Sequence, residues 1–200
     1  FYDTRLSRDH TISCGTCHEL GRIDGRPVAI GAAGRAGTRN TPTVMNSSLN
    51  PILFWDGRAR SLEEQVSGPL LNPLEMDSDW ELVLGRLHAD AAYLEAFQAS
   101  FDSAPTIESV SAAIAAYERT LVLQDTCFDR FLVGDTGAIS PAARAGYALF
   151  KEYGCVSCHQ GANVGGNLLQ YIGLMGKERK DLELFRVPPL RLVAQTPPYF

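Results

Sequence analysis

The sequence predicts a mainly α protein with long loops and little or no β structure, divided into two small domains. Three observations carry that prediction. Helix-start signals recur along the chain, at Ser61, Ser78, Thr106 and Ser140. No stretch shows the sustained apolar–polar alternation of a strand. One five-residue pattern occurs twice, CGTCH at 14–18 and CVSCH at 155–159, each reached through an aromatic helix end and a short link. That repetition points to an internal duplication.

The elements follow in chain order. SLEE at 61–64 has the capping-box pattern, and Gly68–Pro69 is expected to end that short helix. SDWE at 78–81 repeats the box and opens a helix expected to run to about Leu87. The strongest helix starts after Thr106, where Ile107, Val110, Ile114, Tyr117 and Leu121 recur at helical spacing and predict one buried face. Ser140 followed by Pro141 is an N-cap and first-turn pair, opening the helix that leads into the second repeat. GDTGAIS at 134–140 reads as the linker, which gives an N-terminal domain over 1–134 and a C-terminal domain over 135–200.

C-x-x-C-H is the attachment signal for c-type haem. Cys14 with Cys17, and Cys155 with Cys158, would each form two thioethers to one haem, and His18 and His159 would each supply an axial imidazole to its iron. A zinc half-site or a redox disulfide would use the cysteines but leave the histidine that follows them, in both copies, without a cause. The prediction therefore sharpens to two cytochrome c-like haem domains, with the haem replacing much of the apolar core that the short second segment lacks. Cys127, in QDTCFDRFL, is left over, and its apolar neighbours predict a small buried hydrophobe.

Composition narrows the function class. The 200 residues are 45% hydrophobic and 20% charged, with a net charge of −5. An acidic chain disfavours a nucleic-acid partner and suits a basic electron-donor protein. No apolar run is long enough to span a membrane. Covalent attachment of c-type haem takes place outside the cytoplasm, so a periplasmic location is expected, with the export leader lying outside this sequence.

Longer motifs then become recognisable: DTRLSRDHTISCGTCH, GTRNTPTVMN, FWDGRARSLEEQ, GPLLNPLEM, ISPAARAGYALFKEYGCVSCHQGANVGG and FRVPPLRLVAQTPPYF. Together they cover nearly the whole chain, and they resemble the bacterial dihaem cytochrome c peroxidases. The resemblance implies reduction of hydrogen peroxide to water, with electrons from a small c-type cytochrome or copper protein, by an enzyme that is commonly a homodimer. It implies that peroxide reacts at the haem on His18 and that the haem on His159 relays electrons. The methionine that completes the second haem in that family would lie beyond Phe200, with Met175 a weaker candidate, and the chain is expected to be incomplete at both ends.

Further roles come with the resemblance. Trp55 matches the electron bridge between the haems, with Phe54 beside it as packing. Glu75 matches the pocket carboxylate that accepts a proton and returns it. Gln65 matches a pocket glutamine that orients bound oxygen species, and Met76 would line the same pocket. Asn40, Thr196 and Pro198 match a calcium site built from amide and carbonyl oxygens. Arg39, Arg58, Arg186 and Arg191 are candidates for pairing haem propionates.

One departure stands out. Many family members carry, in the loop before the GxRNxPT segment, a histidine that caps the peroxide-reacting iron until the other haem is reduced. Here the matching residue is Ala32, which has no atom able to bind iron. His10 and His88 read as surface residues and Met45 as core, so the N-terminal haem is expected to be open without reductive activation. Two other readings compete: a related dihaem enzyme that oxidises tryptophans of a partner protein, and a dihaem electron carrier with no catalytic role. Glu75 and Ala32 weigh against the carrier.

Overall fold

In the computed structural model, which describes residues 1–20, 27–171 and 183–197, seven helices and one two-stranded sheet are found among the described residues. Met175 and Pro198 lie outside them. A single turn, α1 (Cys14–Cys17), carries the first repeat. Five further helices complete the N-terminal part: α2 (Leu62–Leu71), α3 (Trp80–His88), α4 (Ala91–Phe101), α5 (Ile107–Thr120) and α6 (Cys127–Leu132). The seventh, α7 (Pro141–Glu152), leads into the second repeat, and β1 (Leu169–Tyr171) pairs antiparallel with β2 (Leu184–Arg186).

From α2 onward every helix opens at a side chain that accepts a backbone N–H, namely Ser61, Asp79, Asp90, Thr106, Thr126 and Ser140. Two of the expected boundaries shift. α3 is capped by Asp79, not Ser78, because the Ser78 amide donates to the Leu70 carbonyl at 2.9 Å and its side chain is buried. α2 runs through Gly68–Pro69 to Leu71. The missing proline N–H falls in the last turn, and the Gly68 and Pro69 carbonyls still accept from Asn72 and Met76.

Gly68 has a second reason to be glycine. A Cβ there would lie 2.2 Å from Cζ of Phe54, a residue that itself sits at a φ of +67°. Gly68→Ala should therefore lower stability by about 1–3 kcal/mol, even though alanine favours helix. Chemical denaturation of the haem-loaded protein checks this.

α2 packs against α5, and Arg119 of α5 pairs with Glu63 of α2 at 2.7 Å across the seam. The main core gathers Leu6, Ile12, Val66, Leu70, Met76, Val83, Leu87, Phe97, Val110 and Ile114. Along α5 the predicted face holds at Val110, Ile114 and Leu121, but Ile107 is exposed and Tyr117 only half-buried. Glu118 is buried there instead. The C-terminal part is built differently. No residue of α7 is buried, and its aromatic side chains run from Phe128 of α6 through Tyr147 to Phe150, whose ring centroid lies 6.4 Å from that of His159. Cys127 corrects its prediction: it is exposed, because it occupies the first position of a short surface helix where its apolar neighbours point elsewhere.

Candidate functional site

The two repeats fold alike at the step that matters. The His18 amide donates to the Cys14 carbonyl at 2.9 Å, and the His159 amide donates to the Cys155 carbonyl at the same 2.9 Å. Each pair of sulfurs and its histidine thus issue from one turn. The turns are entered differently. Ser13 and Thr16 cap the first reciprocally, whereas Gly154, at a φ of +76°, bends the chain into the second. Burial pushes the Cys14 thiol up to about 11, which marks an apolar wall suited to a neutral sulfur and not to a thiolate ligand.

Around His18 lies a cavity of about 320 Å³ lined by Cys17, Gln65, Glu75, Trp55, Asn40, Arg58, Arg39 and Arg186. A smaller one of about 50 Å³ adjoins it, with Met76 and Leu70 in its wall beside His18, Gln65 and Glu75. The candidate carboxylate, glutamine and axial histidine therefore share one space. Glu75 is held by a residue the sequence reading missed: Asn72, at the end of α2, donates its Nδ2 to Glu75 Oε1 at 2.7 Å and accepts from the Leu74 amide at 3.0 Å. An asparagine at a helix C-terminus immediately before PLE was the available signal.

A third cavity, about 300 Å³, is lined by His159, Trp55, Asn40, Met45, Arg186 and Thr196. Trp55 and Arg186 belong to the walls of two of the cavities, one containing His18 and the other His159. The Trp55 indole N–H donates to the Asn40 carbonyl at 2.9 Å, its carbonyl accepts from the Arg186 amide at 2.7 Å, and its ring meets Phe185 edge-on at 5.9 Å. Asn40 and Thr196 line one space, as a shared ion site requires.

The four arginines separate. Arg186 is buried, donates Nε to the Phe54 carbonyl at 3.0 Å and has a buried Nη1 with no partner; desolvation lowers its pKa. Arg39 pairs with Glu183 at 3.3 Å and Arg58 with Asp56 at 2.9 Å, both at the surface. Arg191 bonds Asp129 at 2.6 Å and the Ala162 carbonyl at 2.7 Å, and it lines a separate cavity of about 480 Å³ with Phe128, Tyr147 and Phe150. His10 and His88 are exposed, the latter bonded to the Pro105 carbonyl at 2.8 Å.

Ala32 is 1% exposed and packs in the core with Leu6 and Met76, not on a cavity wall. Its amide donates to the Glu75 carbonyl at 2.7 Å, the Ala33 amide donates to Asp9, and Arg35 pairs with Asp77. The loop is docked along the segment that carries Glu75.

The residues present fit covalent haem at both repeats: sulfurs and histidine on one turn, a buried His159 Nδ1 and a buried Arg186 Nη1 without partners, and adjoining cavities. In the haem-loaded protein only Cys127 of the five cysteines should label with a maleimide, as read by peptide mapping. Labelling at 14–18 or 155–159 would refute attachment there.

Comparison with known proteins agrees with this geometry. Residues 1–137 match the di-haem cytochrome c peroxidase family model. Cytochrome c peroxidase Ccp of Escherichia coli is 40% identical over all of this chain and 48% of its own length. Cytochrome c551 peroxidase of Pseudomonas aeruginosa is 39% identical over all of this chain and 64% of its own. Methylamine utilization protein MauG of Methylorubrum extorquens is 39% identical over 97% of this chain and 56% of its own. The chain thus spans about half to two-thirds of the curated relatives' lengths. A solved MauG-like protein associated with microbial copper homeostasis superposes with a TM-score of 0.84 at 28% identity, covering all of this chain and 69% of that one. With the family model matched over most of its length and full-chain relatives near 40% identity, this chain belongs to the di-haem cytochrome c peroxidase family.

Proposed function

We propose that this chain carries the peroxide-reducing core of a periplasmic dihaem cytochrome c peroxidase, fed with electrons by a small c-type cytochrome or copper protein. The carrying observation is the single cavity that gathers His18, Gln65 and Glu75 and shares Trp55 with the cavity of His159. Family membership implies two haem c groups. When bound, they supply the iron that takes peroxide and the reservoir from which electrons are drawn.

The chain's own residues do the rest. His18 and His159 would each hold one haem iron through the imidazole. Glu75 Oε2 accepts a proton from the bound substrate and returns it to the departing oxygen, since Oε1 is held by Asn72. Gln65 orients the substrate with its side-chain amide. Trp55 lies in the wall common to both cavities and serves as the electron bridge. Arg186, between the same cavities, is the propionate partner best supported by its buried free Nη1. Asn40, Thr196 and Pro198 are the proposed calcium ligands, the division at 134/135 the proposed domain boundary, and a homodimer the proposed assembly. Among the described residues no helix is long and apolar enough to cross a membrane.

Ala32 is buried in the core and has no atom able to bind iron, so the N-terminal haem would be open at rest. Mixing the oxidised, calcium-loaded protein with stoichiometric hydrogen peroxide should shift the Soret band promptly in a stopped-flow instrument. A reaction that waits for reduction of one haem would overturn the open-site reading. The similarity to MauG keeps oxidation of tryptophans in a partner protein as a second reading. A tyrosine in place of methionine on the second iron would favour it.

A further inference from the structure

Among the described residues Glu118 is the one carboxylate that is buried, at 6% exposure. It lies on α5, next to Arg119, whose guanidinium turns outward to Glu63. Glu118 Oε2 is fully shielded and accepts a hydrogen bond from no group. Leaving such an acceptor dry and unpaired is costly, and a leucine would serve the packing face of α5 without that penalty. The position calls for a donor.

The neighbourhood supplies one. Glu118 lines both spaces that contain Cys17 and His18. A histidine that ligates metal through Nε2 keeps its proton on Nδ1 and donates it to a neighbouring acceptor, which fixes the ring and raises its basicity.

We propose that Glu118 is the acceptor for His18 Nδ1 when His18 ligates the N-terminal haem iron, a positioning residue that locks the imidazole and, as an anion, strengthens its donation to the metal. Among the described residues the second site shows no such device: His159 Nδ1 is buried with no partner, and no acidic side chain lines the cavity it shares with Trp55. The two haems, attached by the same turn, are thereby made electronically unequal, the first with the lower reduction potential.

The inference rests on haem attachment at 14–18, and the test separates the two. Haem-loaded wild type, Glu118→Gln and Glu118→Asp are compared by resonance Raman spectroscopy of the ferrous state and by spectroelectrochemical titration. Glu118→Gln, nearly isosteric but neutral, should lower the iron–histidine stretching frequency of the first haem and raise its potential, with the second haem unmoved. Glu118→Asp, which keeps the charge, should shift both less. Unchanged frequency and potential in Glu118→Gln would overturn the proposal. If that variant does not fold, wild type decides alone: a frequency typical of a carbonyl-bonded histidine overturns it, and one raised toward the carboxylate-bonded range supports it. A 14–18 peptide without covalent haem would overturn the attachment itself, and the inference with it.

Discussion

Glu75→Gln should slow the reaction of the oxidised, haem-loaded protein with hydrogen peroxide by about 10²–10⁴-fold. The substitution preserves volume, and its amide oxygen can still accept from Asn72 Nδ2, which holds Oε1 at 2.7 Å in the parent. The other terminal atom then becomes an NH₂ group facing the cavity of His18 and Gln65. An amide nitrogen cannot take a proton from the substrate and give it back, so positioning survives while proton transfer is lost. Stopped-flow rates at the Soret band measure the effect, and an unaltered spectrum of the oxidised protein before mixing is the control. A rate within a few-fold of the parent would mean that some other group moves the proton. Asn72→Ala should give a smaller loss of the same kind, because the carboxylate remains but is no longer aimed.

The second large effect is structural. Leu70→Ala should destabilise the haem-loaded protein by about 2–5 kcal/mol, read from chemical denaturation followed by far-UV circular dichroism. Leu70 is 1% exposed, lies on the core side of α2 beside Val66 and Met76, and forms part of the wall of the small space next to His18 and Glu75. Its carbonyl also receives the Ser78 amide, so the residue ties the end of α2 to the start of α3. The lost methyl groups leave a hole that neighbours fixed by helix packing cannot fill. A loss below about 1 kcal/mol would show that the wall collapses inward, and peroxide reactivity should then fall with it.

The sequence was most readable where local chemistry decides. Thr106 with Ser109 and Ser140 with Pro141 cap their helices as their residue types require. The two C-x-x-C-H turns and the gathering of Gln65, Glu75 and His18 were legible, the last through long motifs that resemble a known family. What escaped was decided by tertiary contacts. The end of α2 depended on carbonyls finding donors at Asn72 and Met76, and the start of α3 on Leu70 claiming the Ser78 amide. The helices α4 and α6 went unseen although Asp90 and the Thr126–Asp129 pair cap them, and along α4 the signal was there in Tyr93, Phe97 and Phe101 at helical spacing. Glu118 gave no sign at all: in sequence it is one half of a Glu–Arg pair, and only the fold sends one member inward and the other to solvent.

The docked loop at residues 31–36 bears on how such an enzyme can change over generations. A Cβ at Gly31 would lie 2.1 Å from the Leu74 carbonyl, and Ala32 is sealed at 1% exposure. A lineage that replaced this alanine by histidine would find no volume for an imidazole while the loop keeps its Ala32–Glu75 and Arg35–Asp77 contacts. Fitting a histidine here therefore takes a remodelled segment and not a single substitution.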